Sequence, residues 1–234
     1  MKAAIAQKKE IANGTLMVDF KLKQNISFKP GQFFFIKLPK LLYSDDKGEQ
    51  RHFSIVNSPN EKKIIRMATR LTGSGFKKSL NELPIGTQVE IFNFMGEFVL
   101  PKNKKKQIVL IAGGIGITPF MSMLSYVTEE KLEYSITLLY ANRNRESAAF
   151  FKELVEITMK NTRIHAVFTM SEDPEWQGEK NRIDAELIKK YFPEPKKNTY
   201  MIAGPPAMVE AISGELRELK ISEKNIVTEN FTGY

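Results

Sequence analysis

The stretch Ala112-Gly113-Gly114-Ile115-Gly116-Ile117-Thr118-Pro119 follows an apolar run and opens a helical pattern. Glycines there allow a tight turn and let a pyrophosphate approach the backbone, while the helix beyond offers free N–H groups and the positive end of its dipole. Thr118 suits an N-cap and Pro119 the first helical position, where a missing N–H costs nothing. Pro119 stands where a Gly-x-Gly-x-x-Gly pattern has its last glycine, so the glycines alone would also serve a plain turn; the strand before and the helix after favour phosphate. Ligands of an open parallel sheet sit at the carboxyl ends of its strands. The other expected strand exits carry Asn142-Arg143-Asn144-Arg145, Ser171 and Gly204-Pro205-Pro206. Arg143 and Arg145 suit the 2′-phosphate of NADPH, where an acidic residue would suit the ribose hydroxyls of NADH; otherwise they are exposed loop arginines.

A second constellation lies in the N-terminal half. Arg51-His52-Phe53-Ser54-Ile55 opens a strand, on which Arg51 and Phe53 share one face and His52 and Ser54 the other. Alone, this would pass as a surface strand. Gly73-Ser74-Gly75-Phe76-Lys77-Lys78-Ser79-Leu80 is another glycine turn opening a helix, again with free amides for an anion. Two phosphate sites in two halves of one chain point to two nucleotides.

The elements that must hold these residues differ between the halves. Residues 15–22, 32–38, 63–71 and 88–94 read as short strands separated by turn signals, with one helix near 76–83, which favours a small antiparallel β-barrel. From residue 106 strands and helices alternate: strands at 107–112, 135–141, 163–170, 200–203 and 225–228, and helices from Pro119 and at 147–158, 184–192 and 207–219. That alternation specifies an α/β domain with a parallel sheet covered on both faces. The expected domains are 1–101 and 102–234, joined by the Lys-rich segment 101–106.

Composition narrows the chemistry further. The chain has 234 residues, no cysteine and two histidines, His52 and His165, which excludes thiolate zinc sites, cysteine-ligated iron–sulfur clusters and cysteine nucleophiles and leaves redox work to an organic cofactor. The N-terminus lacks the apolar core of a signal peptide and no segment has the length of a membrane span, so a soluble cytoplasmic protein is expected. Lys and Arg number 35 against 27 acidic residues, a net charge of +8. The lysines are scattered, as on a solvated basic surface or a docking face for an acidic protein. A basic nucleic-acid binder is the disfavoured alternative, since the aromatics lie in apolar runs such as Phe33-Phe34-Phe35.

Arg51-x-Phe53-Ser54, the glycine turn at 73–80, Gly86 before a strand, Gly96-x-Phe98, Gly113-Gly-x-Gly-x-x-Pro119, Ala203-Gly-Pro-x-x-Met208 and Glu229-x-Phe231-x-x-Tyr234 occur in that order. The ordered set, spanning nearly the whole chain, resembles the ferredoxin-NADP reductase superfamily: a flavin-binding barrel followed by an NAD(P)-binding domain. The resemblance implies that Arg51 pairs with the FAD pyrophosphate, with His52 in the same segment, that Phe53 packs on the isoalloxazine ring and that Ser54 hydrogen-bonds flavin N5. It implies backbone contacts from Gly75, Phe76 and Lys77 to the flavin phosphates, with Met67 and Thr69 along the ring or ribityl chain. Gly114, Gly116 and Thr118 would hold the pyrophosphate of NADPH (or NADH), and Gly204, Pro205 and Met208 would bound the nicotinamide. Tyr234 either stacks on the flavin or is a frayed end; Glu229 either handles a proton near the ring or is a charged strand end. Phe53 stands where the family often has Tyr and Ala203 where it often has Cys, so a hydroxyl and a thiol contact are lost. The implied activity is hydride transfer from NAD(P)H to FAD and then single electrons to a separate acceptor such as ferredoxin or flavodoxin, by a monomer or weak oligomer. The alternative is an electron-transfer subunit of a larger oxygenase or reductase complex.

Overall fold

The computed structural model describes residues 1–232. The chain forms two compact units, Met1–Leu100 with Thr118–Tyr126, and Pro101–Ile117 with Val127–Tyr234.

The first unit is an antiparallel sheet of β1 (Lys2–Ala12), β2 (Thr15–Leu22), β3 (Phe33–Lys37), β4 (Gln50–Ser54), β5 (Ile64–Arg70) and β6 (Gln88–Met95), in the order β4-β3-β6-β1-β2-β5. The two ends of that order meet where the Val56 N–H donates to the Arg66 carbonyl at 2.9 Å, curling the sheet toward a barrel. Alternate residues point inward, so Val18 and Phe20, Phe34 and Ile36, and Ile65 and Met67 fill the core with no exposure. Helix α1 (Gly75–Glu82) adds Phe76 and Leu80 to the same core. Strand β1 has no counterpart among the sequence expectations: of its residues only Ala3 and Ile5 are buried, and pairing with β2 on one side and β6 on the other is what makes it a strand. The first part of α2 (Thr118–Glu129) packs into this unit, with Phe120 5.5 Å from Phe98 between ring centroids and the Ser122 hydroxyl donating to the Asn57 carbonyl at 2.7 Å.

The second unit is a parallel sheet of β7 (Ile108–Gly113), β8 (Ile136–Asn142), β9 (Ile164–Met170), β10 (Thr199–Gly204) and β11 (Ile226–Asn230), in the order β11-β10-β7-β8-β9. The chain starts in the middle and winds both ways, so the strand order reverses between β7 and β10, the place where open sheets of this kind bind ligands. Every residue of β7 and β10 is buried, as befits strands covered on both faces. Helices α4 (Ala185–Tyr191) and α5 (Pro206–Glu218) cover one face through Leu187, Ile188, Val209, Ile212 and Leu216. Helix α3 (Phe151–Lys160) meets the other, Phe151 lying 4.6 Å from Phe168 between centroids.

Two helix starts differ from expectation. Helix α2 begins at Thr118 itself, following a 3-10 turn at Gly114–Ile117, so Pro119 is its second residue. The helix expected at 147–158 begins only at Phe151. Before it, the Asn144 and Ser147 side chains each bond the other's backbone, which satisfies the orphan donors of a separate 3-10 turn at Arg145–Ser147 and closes it. Among the described residues no helix is long and apolar enough to cross a membrane.

Candidate functional site

In the first unit, β4 and α1 build a receptor for an anion. Arg51 and Phe53 leave β4 on one face and meet α1, the Arg51 guanidinium carbon lying 5.1 Å from the Phe76 ring centroid and the Phe53 ring 6.1 Å from it. At the start of α1, Ser74 caps the helix by accepting from the Lys77 amide. The Lys77 ammonium donates to the Thr72 hydroxyl at 3.1 Å; burial, with Arg51 and Lys47 nearby, pulls its pKa below the usual lysine value. The principal acceptor at this helix start is Asp45. Its carboxylate takes the Phe76 N–H at 2.9 Å, the Ser74 hydroxyl at 2.8 Å, the Lys47 N–H at 3.0 Å and the Arg51 guanidinium. The Phe76 amide first, then Ser74, Lys47 and Arg51, hold this carboxyl well below the usual carboxylate range against the opposing effect of burial. A cation, a hydroxyl, one helix N-terminal amide and a loop amide on one oxyanion form the kind of donor set a phosphate uses, so these residues fit the diphosphate of a nucleotide.

The remaining expected flavin residues divide. Ser54 is buried at the end of β4. His52 points to the opposite face from Arg51, its ring 5.4 Å from Phe33 and 5.5 Å from Phe35, and burial and the Arg51 charge pull its pKa down. Met67 is fully buried within the barrel core, and the buried Thr69 donates to the Arg70 carbonyl at 3.4 Å.

In the second unit the glycines have separable tasks. Gly114 takes a left-handed φ of 53°, the conformation that turns the chain out of β7. A Cβ on Gly116 would lie 2.2 Å from the Ala203 carbonyl oxygen, so this glycine lets the turn lie against β10. A Cβ on Gly113 would lie 2.1 Å from the Met208 sulfur and 3.4 Å from Pro205, and one on Gly204 would also meet Met208. The turn, Gly204, Pro205 and Met208 thus converge where the strand order reverses. At the exit of β8, Arg143 and Arg145 are exposed, with no ion pair among the described residues; Arg145 lies over the Trp176 ring at 5.6 Å. Asn142, the last residue of β8, is 7% exposed, with neither its amide nitrogen nor its amide oxygen partnered. An orphan donor and acceptor in a buried site is costly and asks for a ligand. Sequence reading passed over both Asp45 and Asn142.

Glu229 is the penultimate residue of β11, opposite Ala203 of β10, with one carboxylate oxygen buried and unpartnered. Burial pushes its pKa up to about 7. Below the ordinary carboxyl value of 4.5 both folded and unfolded chains hold the proton; above it only the folded chain does, so stability falls as pH rises toward 7. The melting temperature of Glu229→Gln should therefore gain on that of the unaltered chain between pH 5 and pH 8, and parallel curves would show that Glu229 titrates normally. Tyr234 lies outside the described residues.

Comparison with known proteins agrees with this division. The family model for an oxidoreductase FAD-binding domain matches residues 2–99, and that for an oxidoreductase NAD-binding domain matches residues 110–214. The chain is 26% identical over 212 residues to the anthranilate 1,2-dioxygenase electron transfer component of Acinetobacter baylyi, covering 89% of this chain and 59% of the relative. It is 28% identical over 194 residues to NADH-cytochrome b5 reductase 2 of Aspergillus clavatus, covering 80% of this chain and 59% of the relative. It therefore spans about six-tenths of the length of these curated relatives. In fold it is similar to a ferredoxin NADP+ reductase from Neisseria gonorrhoeae with bound FAD and NADP, with a TM-score of 0.82, 20% identity and 98% of each chain covered. The chain therefore belongs to the oxidoreductases that join a FAD-binding domain to an NAD-binding domain, and it shares the two-unit fold of that ferredoxin reductase.

Proposed function

We propose that the chain is an NAD(P)H-dependent flavoprotein that moves electrons from a nicotinamide cofactor through FAD to a separate one-electron acceptor. The observation that carries this reading is that one chain builds, on β4 and α1, a set of anion donors and, after β7, a glycine turn opening a helix, two arrangements of the kind that hold phosphates. FAD, when bound, supplies the chemistry, taking two electrons as hydride and releasing them one at a time. The protein's part is to bind and orient.

In this reading Arg51, Ser74 and the Phe76 amide hold the flavin diphosphate, with Gly75 and Lys77 at the same helix start. Phe53 offers an apolar face to the ring, and Ser54 supplies a hydroxyl toward flavin N5. Gly114 and Gly116 of the second unit admit the dinucleotide pyrophosphate, and Thr118, just after them in the chain, opens helix α2. Met208, Pro205 and Gly204 shape the nicotinamide end. Asn142 hydrogen-bonds the ribose through both of its unpartnered atoms, the amide oxygen accepting from a hydroxyl and the amide nitrogen donating to a ribose oxygen. Arg143 and Arg145, exposed at the exit of β8, suit the 2′-phosphate of NADPH better than the bare ribose of NADH.

The acceptor is assigned to an acidic redox protein of the ferredoxin or flavodoxin kind, on the net charge of +8. A reductase component serving an oxygenase is the second reading, favoured by the relative that is a dioxygenase electron transfer component. Oxidation of NADPH and NADH, followed with and without added FAD against ferredoxin, flavodoxin and a cytochrome, tests the proposal. Turnover that requires FAD and slows with added salt is expected. Cofactor oxidation indifferent to FAD would overturn it.

A further inference from the structure

The anion seat in the first unit already has an occupant, and that occupant belongs to the chain. Residues 42–44 are laid along α1 by contacts separate from the anion seat. The Ser79 hydroxyl, itself fully buried, accepts from the Leu42 N–H at 2.8 Å and the Tyr43 N–H at 3.2 Å, and donates to the Gly75 carbonyl at 2.7 Å. The Tyr43 hydroxyl donates to Glu82 at 2.6 Å. Helix α1 makes room for this segment through Gly75, where a Cβ would stand 2.1 Å from the Ser44 carbonyl oxygen. The segment delivers Asp45 to the helix start, and Arg51 ties down the turn beyond it by donating to the Lys47, Gly48 and Gln50 carbonyls as well as to Asp45.

We propose that Asp45 is a built-in competitor for the flavin diphosphate: its carboxylate holds the Arg51, Ser74 and Phe76 donors in the flavin-free protein and must leave them for the diphosphate to bind. This rests on the assignment of that seat to FAD. The diphosphate then exchanges one anion for another rather than filling an empty receptor, so displacing Asp45 costs part of its binding energy and the flavin binds less tightly than the same donors would hold it without Asp45. The Ser79 and Tyr43 contacts lie upstream of Asp45 and need not break, so the change is confined to the Asp45 carboxylate and the turn at 45–48.

The test compares FAD with riboflavin, which has the ring and no phosphate, as ligands of the unaltered chain and of Asp45→Asn and Asp46→Asn, by flavin fluorescence. Asp45→Asn keeps an acceptor for the Phe76 amide and removes the charge. FAD should bind it about tenfold or more tightly, in keeping with the strength of charge-assisted hydrogen bonds, while riboflavin affinity stays unchanged. Asp46 is exposed and carries the same charge next door, so Asp46→Asn should change FAD binding far less. Equal gains from the two variants would reduce the effect to net charge and overturn the proposal, as would unchanged or weaker FAD binding by Asp45→Asn. Failure of the unaltered chain and every variant to bind FAD would instead overturn the flavin reading. Should Asp45→Asn not fold, amide exchange in the unaltered chain decides the matter. Saturating FAD should speed exchange of the Lys47 amide, which Asp45 holds in the free protein, and protection retained with FAD bound would contradict the proposal.

Discussion

Replacing Arg51 with Ala should weaken FAD binding about tenfold to a hundredfold. A hydrogen bond to a charged partner is worth about 1.5–3 kcal/mol, and every 1.4 kcal/mol is about a factor of ten in affinity. Among the described residues Arg51 is the guanidinium paired with Asp45 in the anion seat, and it also lies over the Phe76 ring. Its loss removes the cation and frees the turn at 45–50 that its remaining N–H groups tie down. Arg51→Lys keeps the charge but not the planar fork that reaches several acceptors at once, so it should recover only part of the affinity. Full recovery with Lys would show that the seat reads charge alone. FAD titration of the three proteins measures the series.

Replacing Gly116 with Ala should be the most damaging single change in the second unit. The new methyl would stand 2.2 Å from the Ala203 carbonyl oxygen and 2.8 Å from the Gly204 Cα, both backbone atoms that cannot rotate away. Overpacking a tight contact costs about 1–3 kcal/mol, and a rigid backbone neighbour puts this case at the upper end. The turn after β7 must lift from β10, spoiling the pyrophosphate cradle, so a lowered melting temperature and at least about a tenfold loss of nicotinamide dinucleotide affinity should appear together. Asn142→Leu should give the opposite signature. Its buried amide atoms satisfy nothing in the protein, so an apolar side chain of similar size keeps or raises the melting temperature while dinucleotide affinity falls. Loss of stability without loss of affinity in Asn142→Leu would assign that amide to the fold.

The periodic parts of the molecule were readable in the sequence because burial writes them there. The continuous apolar run of β7, the glycines after it and the helical spacing of Val209, Ile212 and Leu216 on α5 each follow from one local requirement. Strand β1 escaped because most of its residues are at least partly exposed, and its pairing with β2 and β6 has no periodic signature. The short turn before α3 escaped for a different reason: Asn144 and Ser147 read as loop residues until their reciprocal bonds are seen.

In the candidate site, Arg51, Gly75 and Gly116 could be picked out by residue type and spacing. Asp45 could not. It lies 29 residues from Ser74 and 31 from Phe76, in a polar loop whose other aspartate is exposed, and only the fold brings it to the helix start. Asn142 stands beside two arginines whose charge is the stronger signal in the sequence. What marks it is burial without partners, a property of the packed sheet.

The central claim, that one chain binds both nucleotides and passes electrons between them, is tested most directly by loading the protein with FAD, removing oxygen and adding NADPH or NADH while following the visible flavin absorbance. The account predicts rapid bleaching in the unaltered chain. It predicts loss of the bound flavin in Arg51→Ala and a bound flavin that bleaches far more slowly in Gly116→Ala. A chain that retains FAD yet stays yellow with both nicotinamide cofactors would contradict it.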